Sequence, residues 1–113
     1  MNKPFSNEIP KTFRIAGMTH TVFFEKHKHG NSGYGYITYP DNKIVLFASM
    51  EGVPICREQM IQTFWHEAIH AILQAMGEEE LNQNEKFVCC FSSLLNELMQ
   101  SAETYLIGEE VEQ

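Results

Sequence analysis

The sequence predicts an α+β fold: a small, mainly antiparallel sheet from the first half of the chain, packed on two long helices from the second. Three observations carry this expectation. Up to residue 48 the chain alternates short β-prone runs with turn signals. From residue 54 the apolar residues adopt helical spacing, in two segments broken at Gly77. A chain of 113 residues with 43% hydrophobic content supplies one core and little more, so residues 1–113 are read as one domain.

Residues 1–10 are polar with two prolines and are expected to form an irregular lead-in. Thr12-Phe13-Arg14-Ile15 alternates, Gly17-Met18 supplies a turn, and Thr21-Val22-Phe23-Phe24 follows with aromatic and β-branched residues, which reads as a hairpin. The polar loop that follows holds His27 and His29, spaced to share one side of an extended strand. A solvated loop is the more economical reading of that Lys/His-rich stretch. Residues 34–39 and 43–48 flank Pro40-Asp41-Asn42 and read as a second hairpin. Ile44, Leu46 and Ala48 fall on one face of its last strand and Val45 and Phe47 on the other, so that strand is expected to be covered on both sides.

Pro54 and Gly77 bracket the first helix, expected over residues 54–76. Its wheel places Ile61, Phe64, Trp65, Ala68, Ala71, Ile72, Ala75 and Met76 on a wide apolar side, and Gln59, Thr63, His66, Glu67, His70 and Gln74 on the polar side. Glu78-Glu79-Glu80 reads as a loop or an acidic approach to the second helix, expected over residues 82–106. There the stripe Val88, Phe91, Leu95, Leu98, Met99, Ala102 and Leu106 should pack on the first helix. The tail from Gly108 is acidic and expected to fray.

Charge and cysteine content exclude several function classes. Residues 1–45 carry six Lys/Arg against three acids and residues 46–113 two against twelve, so +3 and −10 sum to the net −7. Such a chain repels nucleic-acid phosphates. No apolar run is long enough to span a membrane and no signal-peptide pattern opens the chain, so a cytoplasmic protein is expected. Cys56, Cys89 and Cys90 do not make a disulfide framework and read as reduced, buried small hydrophobes.

The chemistry concentrates in His66-Glu67-Ala68-Ile69-His70. Residues four apart on a helix project together, so His66 and His70 can share one tetrahedral metal, most often zinc. Glu67 can reach a metal-activated water as general base. From the composition, H-E-x-x-H is expected by chance roughly 0.03 times in this chain, which favours a real site over an accident on a solvated helix face. A catalytic zinc usually has three protein ligands. The metzincin extension is absent, because its glycine and third histidine would fall on Leu73 and Met76. The third ligand is then a carboxylate or an upstream histidine (His20, His27 or His29). Glu85 is the best placed, near the start of the second helix, although Asn82-x-x-Glu85 also reads as a capping box.

Taken with Pro10-Lys11-Thr12-Phe13-Arg14-Ile15, Gly35-Tyr36-Ile37-Thr38, Lys43-Ile44-Val45-Leu46 and Asn84-Glu85-Lys86-Phe87-Val88, the HEAIH stretch resembles a known family. It is similar to the small phage and prophage gluzincin-type metallopeptidases related to the ImmA/IrrE family, over roughly residues 10–100. The resemblance implies a minimal zincin-like domain and a zinc-dependent peptidase acting on a peptide or protein substrate. It implies His66, His70 and Glu85 as metal ligands, and Glu67 as catalytic acid/base. The strand before the active-site helix, with Ile44, Leu46 and Ala48, resembles the edge strand that aligns substrate backbone. Two departures stand out: the chain carries no helix-turn-helix pattern, and no oxyanion-stabilising His or Tyr follows Glu85 at a suitable distance. Tyr34, Tyr36, His27 and His29 are the remaining candidates for that role. The alternative is a zincin-like metal-binding module without proteolysis that binds a phage or host protein. A complete HEAIH argues against it, since a pure binder has no need of Glu67.

Overall fold

The computed structural model describes residues 8–105, 107 and 108. The expected lead-in over residues 1–7, Leu106 and the tail over residues 109–113 lie outside the described residues.

Two tight turns set the strand pairings. β1 (Thr12–Ile15) and β2 (Met18–Lys26) are antiparallel, with Ile15 opposite Met18. The two residues between them, Ala16 and Gly17, both have positive φ, as a hairpin turn matched to strand twist requires. β3 (Gly35–Thr38) and β4 (Lys43–Met50) form the second expected hairpin. A third follows, because Glu51 and Gly52, again both at positive φ, fold β5 (Val53–Pro54) back on the end of β4. Pro54 is therefore in an edge strand and not in the first helical turn, a position where its missing N–H costs nothing.

The strand order is β1-β2-β4-β3, with β5 pairing β4. Three of the four pairings are antiparallel, as expected. β2 and β4 run parallel and make the sheet mixed. β4 is thus interior, and its residues 44–47 are at most 1% exposed. Ile44 and Leu46 point at the helices and join Val22, Phe64 and Ala68 in the main core cluster. Each stabilises by about 1.5–3 kcal/mol on burial. On the other face the Phe47 ring is covered by His27 at 5.0 Å and Tyr36 at 5.9 Å. Ala48 is an extra residue between the pairs Glu25↔Phe47 and Lys26↔Ser49, and this bulge turns the Ala48 carbonyl to accept from Ile55 N–H. The expectation that Ile44, Leu46 and Ala48 form a substrate-aligning edge is therefore corrected. Their strand has neighbours on both sides, and the outer strands of the sheet are β1 and β3.

Three helices follow, where two were expected. α1 (Arg57–Met76) ends at Gly77 in the left-handed conformation, with Gly77 N–H donating to Gln74 O and Glu78 N–H to Leu73 O. The connection contains a short helix, α2 (Glu79–Gln83). α3 (Glu85–Ser101) then begins at Asn84, whose side chain accepts from Phe87 N–H at 3.0 Å. α1 and α3 meet through Ile69, Leu73 and Val88, with Leu95 beside them. A polar patch joins the same contact: Gln62 donates to Ser92 Oγ, and Asn96 donates to Gln62 Oε1. The expected α3 stripe is only half used, since Phe91 and Leu98 are 48% and 56% exposed. Cys56, Cys89 and Cys90 are all exposed, against the expectation of burial. Among the described residues no helix is long and apolar enough to cross a membrane.

Candidate metal centre

α1 carries His66 and His70 one turn apart, with ring centroids 5.0 Å from each other. The return through Gly77 and α2 brings the first residue of α3 against them. Glu85 Oε2 lies 3.4 Å from His66 Nε2, and Glu85 Oε1 lies 3.0 Å from His70 Nε2. Ligands about 2.0–2.1 Å from a tetrahedral zinc are separated by roughly 3.4 Å, so these spacings suit a shared ion. Among the described residues His66, His70 and Glu85 are the one cluster of His, Cys, Asp or Glu with ligand atoms gathered in this way, all within 4.8 Å of one another.

The chemistry of the donors agrees with the spacing. His70 Nδ1 lies 2.6 Å from Asn82 Oδ1, an acceptor, so Nδ1 donates to it, and in the neutral imidazole that tautomer leaves Nε2, on the Glu85 side, with the lone pair a metal ligand needs. Burial holds the His66 imidazole below its ordinary 6.5, against the opposing pull of the Glu85 carboxylate. Two imidazoles and a carboxylate gathered at one point are the donor set a divalent zinc ion takes. The capping-box reading of Glu85 fails here, because Asn84 caps α3 and Asn82 is engaged by His70.

Glu67 sits beside this cluster, only 7% exposed. Burial pushes its carboxyl up to about 7, with His70 lowering it and Glu85 raising it. The cleft in front of it, with a volume of about 320 Å³, opens between β3 and α1 and is lined by Tyr34, Gly35, Thr63, His66, Glu67 and Cys89 among others. Gly35 permits that closeness. A Cβ there would lie 2.5 Å from Val45 O and 2.9 Å from Thr63 Cγ2.

The other candidate residues lie elsewhere. His20 is 3% exposed, stacked 5.1 Å from Phe13, with Nδ1 hydrogen-bonded to Met18 O. His27 packs on Phe47 on the far face of the sheet, and Tyr36 does the same. His29 is exposed on the loop after β2. Of the four oxyanion candidates only Tyr34 reaches the cleft. Two residues escaped the sequence reading. Asn82 orients His70, and its side chain also hydrogen-bonds Tyr39, whose hydroxyl donates to His70 O at 3.4 Å. Burial raises the Tyr39 hydroxyl pKa, the Asn82 bond lowers it and Glu67 raises it. Asn82 was visible as a polar residue three before Glu85, but its partner lies across a turn that local patterns do not encode.

No protein-family model matches the chain, and no curated protein or solved structure matches it.

Proposed function

We propose that the protein is a zinc-dependent peptidase of the gluzincin type, acting in the cytoplasm on a peptide or protein substrate and not on nucleic acid. The observation that carries this reading is the convergence of His66 Nε2 and His70 Nε2 on the Glu85 carboxylate at 3.4 and 3.0 Å, with Glu67 buried alongside. The resemblance of HEAIH and its flanking residues to the ImmA/IrrE-related metallopeptidases supports it further. When bound, zinc supplies Lewis acidity that makes water a nucleophile near neutral pH.

The remaining work falls to side chains and backbone. His66, His70 and Glu85 hold the ion. Asn82 fixes the His70 tautomer. The outer edge of β3 offers N–H and C=O groups to an extended peptide, holding its scissile carbonyl near Glu67. Glu67 takes a proton from the attacking water as oxygen bonds to the carbonyl carbon, and returns it to the amine as the C–N bond breaks. A carboxyl poised at about 7 can serve in both directions at neutral pH.

The test is Glu67→Gln, assayed with zinc-loaded protein on an unfolded casein substrate. Cleavage by the wild-type chain and none by the variant, at unchanged zinc content, is the expected result. Equal turnover in both would remove Glu67 from the mechanism. Zinc binding without cleavage by either would favour the non-proteolytic module.

A further inference from the structure

Phe87, Phe91, Leu94 and Leu98 fall within about 60° of one another on α3; half-buried Phe87 packs on the Ile69, Leu73 and Val88 contact with α1, and Phe91, Leu94 and Leu98 carry the stripe on beyond it into solvent. Phe91, Leu94 and Leu98 are 48%, 67% and 56% exposed, and the Phe87 and Phe91 rings stack at 5.6 Å. On α1, Ile72 and Met76 are 38% and 65% exposed and lie on the flank away from His66 and His70, where they extend the same surface. We propose that this face joins two copies of the chain in a two-fold dimer, with α3 packed antiparallel against α3 of the second copy.

Three features select a second copy as the occupant. The first is the spacing. The stripe advances by four, three and four residues, which reads the same in both directions. About a two-fold midway between Ser92 and Ser93, Phe87 meets Leu98 of the second copy and Phe91 meets its Leu94, the knob layers of an antiparallel helix pair. The second is charge. Lys86, the one cation of α3, and Glu97 lie on the same flank of the stripe, and neither makes an ion pair among the described residues. The two-fold brings each Lys86 to within about two residues, roughly 3 Å along the axis, of Glu97 on the second copy. The third is area. The five exposed side chains offer roughly 500 Å² of apolar surface per copy, beyond a scattered surface background. Doubled and fully buried, that meets the lower bound of roughly 1,000 Å² for a specific interface.

The arrangement also suits the cleft. Glu85 and Cys89 lie on the opposite side of α3 from the stripe, about 150–170° around the axis, so both clefts stay open in the dimer.

Sedimentation equilibrium of the full chain at about 100 µM and 0.15 M salt tests the proposal, since the −7 charge opposes association at lower ionic strength. The wild type should sediment at twice the chain mass of 13.0 kDa. Leu94→Glu and Leu98→Lys, both at exposed positions, should sediment at the single-chain mass with helical circular dichroism unchanged. Lys86→Glu should weaken the dimer by about tenfold, and adding Glu97→Lys should restore it. A wild type at the single-chain mass overturns the proposal. So does a dimer that survives Leu94→Glu and Leu98→Lys, and a charge reversal that the second substitution does not repair overturns the antiparallel register.

Discussion

Asn82 Oδ1 lies 2.6 Å from His70 Nδ1, so an α2 residue sets which nitrogen of an α1 histidine faces Glu85. A hydrogen bond of this kind holds a metal-binding imidazole in one tautomer and one orientation. Asn82→Ala should weaken zinc binding about 10–100-fold. Asn82→Asp, which keeps an acceptor oxygen, should retain most of the affinity. Competition with a chromogenic chelator measures both. Equal affinity in wild type and Asn82→Ala would leave Asn82 a structural role only.

The buried Glu67 carboxyl makes metal-free stability depend on pH. In the fold its pKa is pushed up to about 7, from an ordinary 4.5. Between those values the folded state holds a proton that the unfolded chain has released, so raising the pH destabilises the fold across that window. Below 4.5 both states are protonated, and above 7 the loss is complete. The full effect is about 3 kcal/mol as an upper bound. His66, held below 6.5, acts in the opposite sense, so the wild type must be compared with Glu67→Gln. In chelator, the stability difference between the two should shift by up to about 3 kcal/mol against the wild type from pH 4.5 to 7, read from urea midpoints. A difference that stays flat would contradict the raised carboxyl.

Gly35 should be intolerant of any side chain. The added Cβ of Gly35→Ala would press on Val45 O, a backbone atom of the central strand, as well as on Thr63 Cγ2. The strain should cost about 1–3 kcal/mol, seen as a lower urea midpoint at unchanged slope. Unaltered stability would mean that β3 can move away from α1.

Much of this fold was legible because its signals are local. Alternation and turn residues marked both expected hairpins, and apolar residues on both sides of residues 44–48 foretold the doubly covered β4. Gly77 marked the end of α1. The parallel pairing of β2 with β4 was not legible, since it depends on β3 crossing to the far side of β4 and no residue pattern records that choice. The edge strand was misplaced for the same reason. On α3 the 3.6-residue period correctly marked a helix, but periodicity cannot say whether Phe91, Leu94 and Leu98 meet α1 or solvent. At the site, His66, Glu67 and His70 stood out through their spacing, whereas Glu85 was one of several candidate third ligands until the family resemblance favoured it. Asn82, Tyr39 and Gly35 act through contacts across the chain and became visible only in three dimensions.

Zinc content of the purified chain tests the central claim most directly, because each proposed step depends on His66, His70 and Glu85 holding one ion. Metal analysis after dialysis against metal-free buffer should find one zinc per wild-type chain, and little in Glu85→Ala, since two histidines alone hold zinc poorly. A wild-type chain without stoichiometric zinc, or a Glu85→Ala chain that keeps all of it, would contradict the account.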